Sequence, residues 1–295
     1  MDWRKPDTFH PLMNTFDIAT LAVEALLQEV ETWPKPGLVN PIDNGSHADM
    51  NAALLRRSAR CLLPYFERLA VAGAHNARMS VLRQIGIAAE AAMLQATDGI
   101  NTHRGAIFGL GLLCAAAGTL DTMHGQEELG TIERRRWGSE IGAPTTRDTS
   151  HGAVVWRRYG VGGARREAIA GFPRLYEVAW SALRQGRQLA DGDEVAARVQ
   201  CLFALMAELE DTTLLHRGGA EGLLFARALA TQFIELGGVG TDDWRERALH
   251  MHRLMVARHL SPGGSADLLA MTLFVDSVHA RTRCASQVAL EASLV

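Results

Sequence analysis

Five segments of this 295-residue chain set Asp, Asn, His and Arg among glycines and prolines, mostly just before a stretch of helical periodicity. They are Pro34-Lys35-Pro36-Gly37 through Ser46-His47-Ala48-Asp49-Met50; Asp98-Gly99-Ile100-Asn101-Thr102-His103-Arg104-Gly105; residues 151–167, closing on Gly162-Gly163-Ala164-Arg165-Arg166-Glu167; Asp211 through His216-Arg217-Gly218-Gly219; and Ser261-Pro262-Gly263-Gly264-Ser265-Ala266-Asp267-Leu268. A helix start presents unpaired N–H groups and a partial positive charge, which suit phosphate. Glycine permits close backbone approach, and Lys35, Arg104, Arg165 and Arg217 offer charge to phosphate oxygens. Aspartates cannot bind phosphate themselves but can hold the Mg²⁺ that does. A magnesium polyphosphate would use both sets at once.

Each segment also has a plainer reading. Ser46 and Asp49 fit a capping box, Asn101 or Thr102 fits the cap of the following helix, and Ser265 fits another, with Asp267 favourable in its first turn. Asp98-Gly99 is an ordinary turn pair. Capping leaves Lys35, His47, His103, Arg165 and Arg217 without a role.

The elements that must position these residues are helical almost throughout. Ile18, Leu21, Ala22, Ala25, Leu26 and Val30 follow a 3.6-residue stripe that stops at Trp33-Pro34-Lys35-Pro36-Gly37. Similar patterns predict helices at 49–72, 78–96, 103–119, 124–140, 173–190, 193–210, 220–237, 243–259 and 266–281. Val154-Val155-Trp156 is the one short strand candidate, and the Gly-, Arg- and Thr-rich loop 142–171 is the one candidate boundary. The expected fold is therefore all-α: a single multi-helix domain over 17–295 with a central cleft lined by inter-helix loops, preceded by a tail, 1–16.

Composition narrows the function. With 30 basic against 33 acidic residues the net charge is −3, which argues against a nucleic-acid coat. All but two of the basic residues are arginine, so Lys35 stands out. Cysteines 61, 114, 201 and 284 form no CxxC pair and read as buried free thiols of a reducing compartment. The N-terminus lacks the apolar core of a signal peptide, and the longest uncharged run, Gly105–Leu120, falls short of the roughly 20 residues of a membrane span and reads as a buried helix. The expected location is the cytoplasm. Walker A, HExxH and GxSxG patterns are absent, and Gly160-Val161-Gly162 lacks the third glycine of a dinucleotide fingerprint. His250, His252 and His259 share one predicted helix without a carboxylate to complete a ligand set, which favours a core or solvated role.

The wording of the five segments resembles the triphosphoribosyl-dephospho-coenzyme A synthase family. The matching stretches are PKPGLV with GSHADM (34–50), GINTHRGAIFGLGLL (99–113), GVGGARREAIAGFP (160–173), DTTLLHRGG (211–219) and SPGGSADLLAMT (261–272), in the family's order. Asn40 stands where the family has Asp, Arg104 where it has Lys, Arg166 where it has Gly and Thr213 where it has Asn. The GSH and LHRGG wording looks like the branch that serves malonate decarboxylase rather than citrate lyase.

The resemblance implies a transferase that cleaves the N-glycosidic bond of ATP, releases adenine and joins the triphosphoribosyl unit to the ribose 2′-hydroxyl of 3′-dephospho-CoA. The product would go to a holo-acyl-carrier-protein synthase, and whether the enzyme is a homodimer is left open. Inversion at the ribosyl carbon would need an acid and a base on opposite faces of the sugar. Asp49 is then the expected base or oxocarbenium-facing carboxylate, with His47 orienting it or shuttling a proton. Asp211, Asp267 and Asp98 are the expected magnesium ligands. Lys35, Arg104, Arg165 and Arg217 would grip phosphates, Asn101 and His103 would meet ribose hydroxyls or adenine, and Gly263 and Gly264 would bring backbone to the substrate. Glu167 would pair with Arg165 or take part in chemistry. Two other readings are a magnesium-dependent, all-helical hydrolase of ADP-ribosyl groups and a non-catalytic helical adaptor.

Overall fold

Asn14 opens the helical body: its side-chain oxygen accepts from Asp17 N at 2.7 Å, and α1 (Thr15–Glu31) follows, inside the stretch expected as tail. A computed structural model describes residues 12–120, 127–142 and 151–293. Most of the expected tail, the first turn of the 124–140 helix, part of the 142–171 loop and the Cys284 side chain lie outside what is described.

The expected helices form, with instructive shifts. The 49–72 stretch divides into α2 (Ala52–Cys61) and α3 (Leu63–Ala74), where Pro64 takes an early helical position that its missing N–H permits. α4 (Met79–Ala96) and α5 (Arg104–Gly118) match their patterns. α6 (Leu129–Gly142) is followed by α7 (His151–Tyr159), so Val154-Val155-Trp156 is helix and not strand. The β-branched pair is too short a signal to outweigh tertiary placement. α8 (Gly163–Ile169) leads to a π-helical turn, Leu175–Trp180, continued by α9 (Ser181–Leu189). α10 (Glu194–Glu208) precedes α11 (Thr212–Glu235), which breaks at Gly219 (φ 62°, ψ −160°). α12 (Trp244–Ala257) and the long α13 (Gly263–Ser293) complete the chain. No strand occurs among the described residues.

The uncharged run forms the centre. α5 buries Ala106, Ile107 and Gly109 through Gly118, and it packs against α1, α3, α4, α6 and α13. Around it Phe66, Phe172, Phe203, Phe233, Phe274 and Trp137 are fully buried in one continuous apolar core. Cys114 and Cys201 are buried and unpaired, while Cys61 is unpaired but only half-buried. No helix among the described residues is long and apolar enough to cross a membrane. With α5 and α13 side by side, their N-terminal ends meet, and the polar segments gather there.

Candidate functional site

The 34–50 loop is fixed from within. Asn40 Oδ1 accepts from Ile42 N and Asp43 N, and its amide donates to Leu38 O (3.2 Å) and Asp43 Oδ1 (2.9 Å). The expected capping box does not form. α2 begins at Ala52 and takes its cap from Asn51, whose Oδ1 accepts from Leu54 N. Ser46 instead donates its hydroxyl to Leu260 O at 2.6 Å, and Asp49 projects outward with its side chain 60% exposed. His47 holds Ser261 Oγ through Nε2 at 2.9 Å, while its Nδ1 lies 3.1 Å from Arg217 Nη2 and 3.6 Å from Asp49 Oδ1. Burial, then the Arg217 charge, pulls the His47 pKa below its ordinary value.

Arg217 is a clasp: its Nη1 also donates to Ser46 O and His259 O, each at 3.1 Å. His252, expected in a core or solvated role, provides a second tie. It is buried on α12, with Nδ1 2.7 Å from Lys35 O and Nε2 3.2 Å from Asp43 Oδ1. His250 and His259 are exposed.

Asp211 joins two helix starts. Its Oδ1 caps α11, accepting from Thr213 N (2.9 Å) and Leu214 N (3.2 Å), and its Oδ2 accepts from Ser265 N (2.8 Å) and Ser265 Oγ (3.0 Å). Ser265 therefore lies within α13 rather than capping it. Gly264 sits against the same carboxylate and Gly263 against Thr213. Asp267, one turn into α13, reaches the start of α5 and accepts from Ala106 N–H. Only a residue without a side chain fits there: a Cβ on Gly105 would fall 2.0 Å from Asp267 Oδ2. The 151–167 segment joins through Gly163 (φ 52°), where a Cβ would fall 2.8 Å from Thr212 Cγ2. All five segments are thus brought together, although they lie far apart in sequence.

Beneath this ring sits a buried charge cluster. Lys35 Nζ donates to Glu29 O (2.7 Å) and Glu29 Oε1 (2.6 Å), and both side chains are shielded from water. Burial lowers the Lys35 pKa, opposed by the Glu29 charge, so its first partner is protein rather than phosphate. Burial raises the Asp267 pKa well above the carboxylate range, with Glu29 and Asp211 adding to the effect. Burial also raises that of Asp211, opposed by its four hydrogen bonds. His103, at the start of α5, is held neutral by burial and then by Lys35, its pKa pulled down to about 4.

The remaining expected residues stand further out. Asn101 Oδ1 accepts from Arg104 N at 3.2 Å, but the cap position of α5 is His103, which makes no side-chain cap bond. Arg104 pairs with Glu90 of α4, and Arg165 Nε donates to Ile141 O at 2.8 Å. Glu167 pairs with Arg174 and not Arg165: its Oε2 accepts from Arg174 N at 3.2 Å. Asp98 is exposed in a turn at φ 54°, 3.6 Å from Arg57. Among the described residues no three His, Cys, Asp or Glu side chains form a group that could hold a metal ion. Asp211 with four donors already in place, and Asp98 at the surface, do not make a preformed magnesium site.

Two residues of the cluster escaped sequence reading. Glu29 and Ser58 are buried polar residues on otherwise apolar helix faces: Glu29 continues the Ala22–Ala25–Leu26 stripe, and Ser58 follows Leu55. A charge on an apolar stripe is the signal that would have found Glu29.

The family profile "CitG: ATP:dephospho-CoA triphosphoribosyl transferase" matches residues 15–285. A protein of Pseudomonas aeruginosa (strain UCBPP-PA14) is 42% identical over 268 residues, covering 89% of this chain and 91% of that one. A second, from Pseudomonas paraeruginosa, is 41% identical over 268 residues with the same coverage, and one from Acinetobacter calcoaceticus is 39% identical over 259 residues, covering 86% and 88%. All three carry the name "Probable 2-(5''-triphosphoribosyl)-3'-dephosphocoenzyme-A synthase". No solved structure matches.

Proposed function

The chain belongs to the ATP:dephospho-CoA triphosphoribosyl transferase family, and from that premise we propose that it moves the triphosphoribosyl group of ATP to the ribose 2′-hydroxyl of 3′-dephospho-CoA and releases adenine. The C1′–N bond of ATP breaks and a C1′–O bond forms. The hydroxyl proton passes to a base, and adenine leaves with a proton or hydrogen bond on its ring. The observation that carries this reading is the meeting of five segments at the starts of α5, α11 and α13, locked by the Arg217–His47–Ser261 and Asp211–Ser265 contacts.

The two halves of that meeting suit the two ends of the donor. Arg217 forms an outer, cationic rim for phosphates, extended by Arg104 and Arg165, with the neutral His47 imidazole beside it. The Glu29 and Asp211 carboxylates, with Lys35 as the cation buried beside Glu29, are the proposed groups to face positive charge building on the ribosyl carbon. Asp49, exposed beside His47, is the proposed base for the acceptor hydroxyl. Asn101 and His103 are the proposed contacts for ribose hydroxyls or adenine, and Gly263 and Gly264 line the approach at Asp211. Magnesium is expected to arrive on the phosphates of ATP, which would supply most of its ligands.

The GSH and LHRGG wording supports a product destined for the acyl carrier protein of a malonate decarboxylase, through a holo-acyl-carrier-protein synthase, in the cytoplasm. The test is mass spectrometry of ATP with 3′-dephospho-CoA, with and without the protein. Adenine and the joined product appearing together support the transferase. Adenine released from ATP without the acceptor would point to a hydrolase, and no turnover would overturn the reading.

A further inference from the structure

Ser58 of α2 lies outside the five polar segments, yet its hydroxyl reaches their centre. It is fully buried, with Oγ 2.6 Å from Thr102 Oγ1 and 2.8 Å from His103 Nδ1. His103 is also held by its main chain, whose N–H donates to Met93 Sδ at 3.2 Å. The imidazole is thus fixed along its Nδ1 edge. Its other nitrogen, Nε2, is equally buried and has no hydrogen-bond partner among the described residues. Native proteins rarely leave a buried polar atom unmatched, and one that persists calls for a ligand or a catalytic use. Neutral imidazole can donate from one nitrogen and accept at the other, so whatever Ser58 does at Nδ1 decides what Nε2 offers. The nearby Lys35 charge puts this imidazole beside the cluster assigned above to the sugar.

We propose that Ser58, with Thr102, is a positioning residue that fixes the tautomer and orientation of His103, keeping Nε2 for a hydrogen bond to the nucleoside part of the donor. The proposal rests on the transferase reading for the identity of the donor, but ATP binding tests it separately from turnover.

In full-length protein carrying ¹⁵N-labelled histidine, adding ATP should move the His103 Nε2 resonance while Nδ1 changes little. Ser58→Ala should mix the two tautomers and raise KM for ATP about tenfold, the loss expected for one misaligned hydrogen bond. A second pair of variants stands independently of how well Ser58→Ala folds. In His103→Gln the amide nitrogen falls near the place of Nε2, and in His103→Asn near that of Nδ1. Glutamine retaining ATP affinity better than asparagine supports the assignment. A still Nε2 resonance on ATP addition, or asparagine equal to or better than glutamine, overturns it. If ATP binds with these signatures but no transfer product forms, the transferase reading fails and the role of Nε2 survives.

Discussion

Asp211 Oδ2 accepts both the backbone N–H of Ser265 at 2.8 Å and its hydroxyl at 3.0 Å, joining the first turn of α11 to that of α13 across 54 positions of sequence. With Oδ1 capping α11, the carboxylate serves four donors while buried. Two helix starts favour a negative charge there, which offsets part of its desolvation. Asp211→Asn should therefore destabilise the protein without added magnesium, because an amide turned either way sets an NH₂ group against one pair of donors. A loss of about 1–3 kcal/mol is expected for the unsatisfied groups. Thermal unfolding with EDTA present checks this. A variant as stable as the parent, or more so, would show that Asp211 is a strained ligand kept for a cation rather than a cap.

Arg217 has two roles that one substitution separates poorly and two substitutions separate well. Its guanidinium spans Ser46 O, His259 O and His47 Nδ1, a reach that a single ammonium cannot match. Arg217→Ala should raise KM for ATP at least tenfold, equivalent to about 1.4 kcal/mol of lost binding. Arg217→Lys should recover only part of it, since the charge returns but the clasp on the 46–47 turn does not. An unchanged KM for ATP in Arg217→Ala would remove phosphate contact from its role.

Asp49 presents the opposite balance of structure and chemistry. Its carboxylate is largely exposed and lies 3.6 Å from His47 Nδ1. Exposed pairs of this kind contribute little to stability. Asp49→Ala should hence unfold within about 0.5 kcal/mol of the parent and keep its far-UV helical signal, while adenine release falls to background. Near-normal turnover would withdraw Asp49 from catalysis and leave the base to be sought elsewhere in the ring.

The helical body was legible because its periodicity is strong: the run Gly105–Leu120 could only be a buried helix, and α5 is one. What failed was local grammar overridden by distant partners. Ser46 and Asp49 have the spacing of a capping box, but Leu260 O and Arg217 offer the loop better partners than a helix start would. Asp211 and Asp267 look like metal ligands in a list of acidic residues. Only the apposition of α5, α11 and α13 shows Asp211 capping one helix and tying another, and Asp267 reaching the start of a third. Glu29 and Ser58 were missed because helical stripes are read for their apolar members, and each sits where an apolar residue is expected.

Glu133 of α6, outside the five polar segments, supplies a further prediction. Its side chain is wholly buried, neither carboxyl oxygen has a hydrogen-bond partner among the described residues, and burial pushes its pKa up to about 8. The unfolded chain would release this proton near 4.5. Between those values the folded state binds the extra proton, so stability falls as pH rises, by up to about 1.4 kcal/mol per pH unit. Below pH 4.5 Glu133 imposes no ionisation penalty, and above 8 the penalty stops growing. Glu133→Gln removes the titration, so its unfolding temperature should decline less than the parent's between pH 5 and pH 8. The two proteins should differ most at pH 8–9, with the variant the more stable. Parallel curves across that range would mean that the carboxyl is ionised when folded and matched by a cation or water.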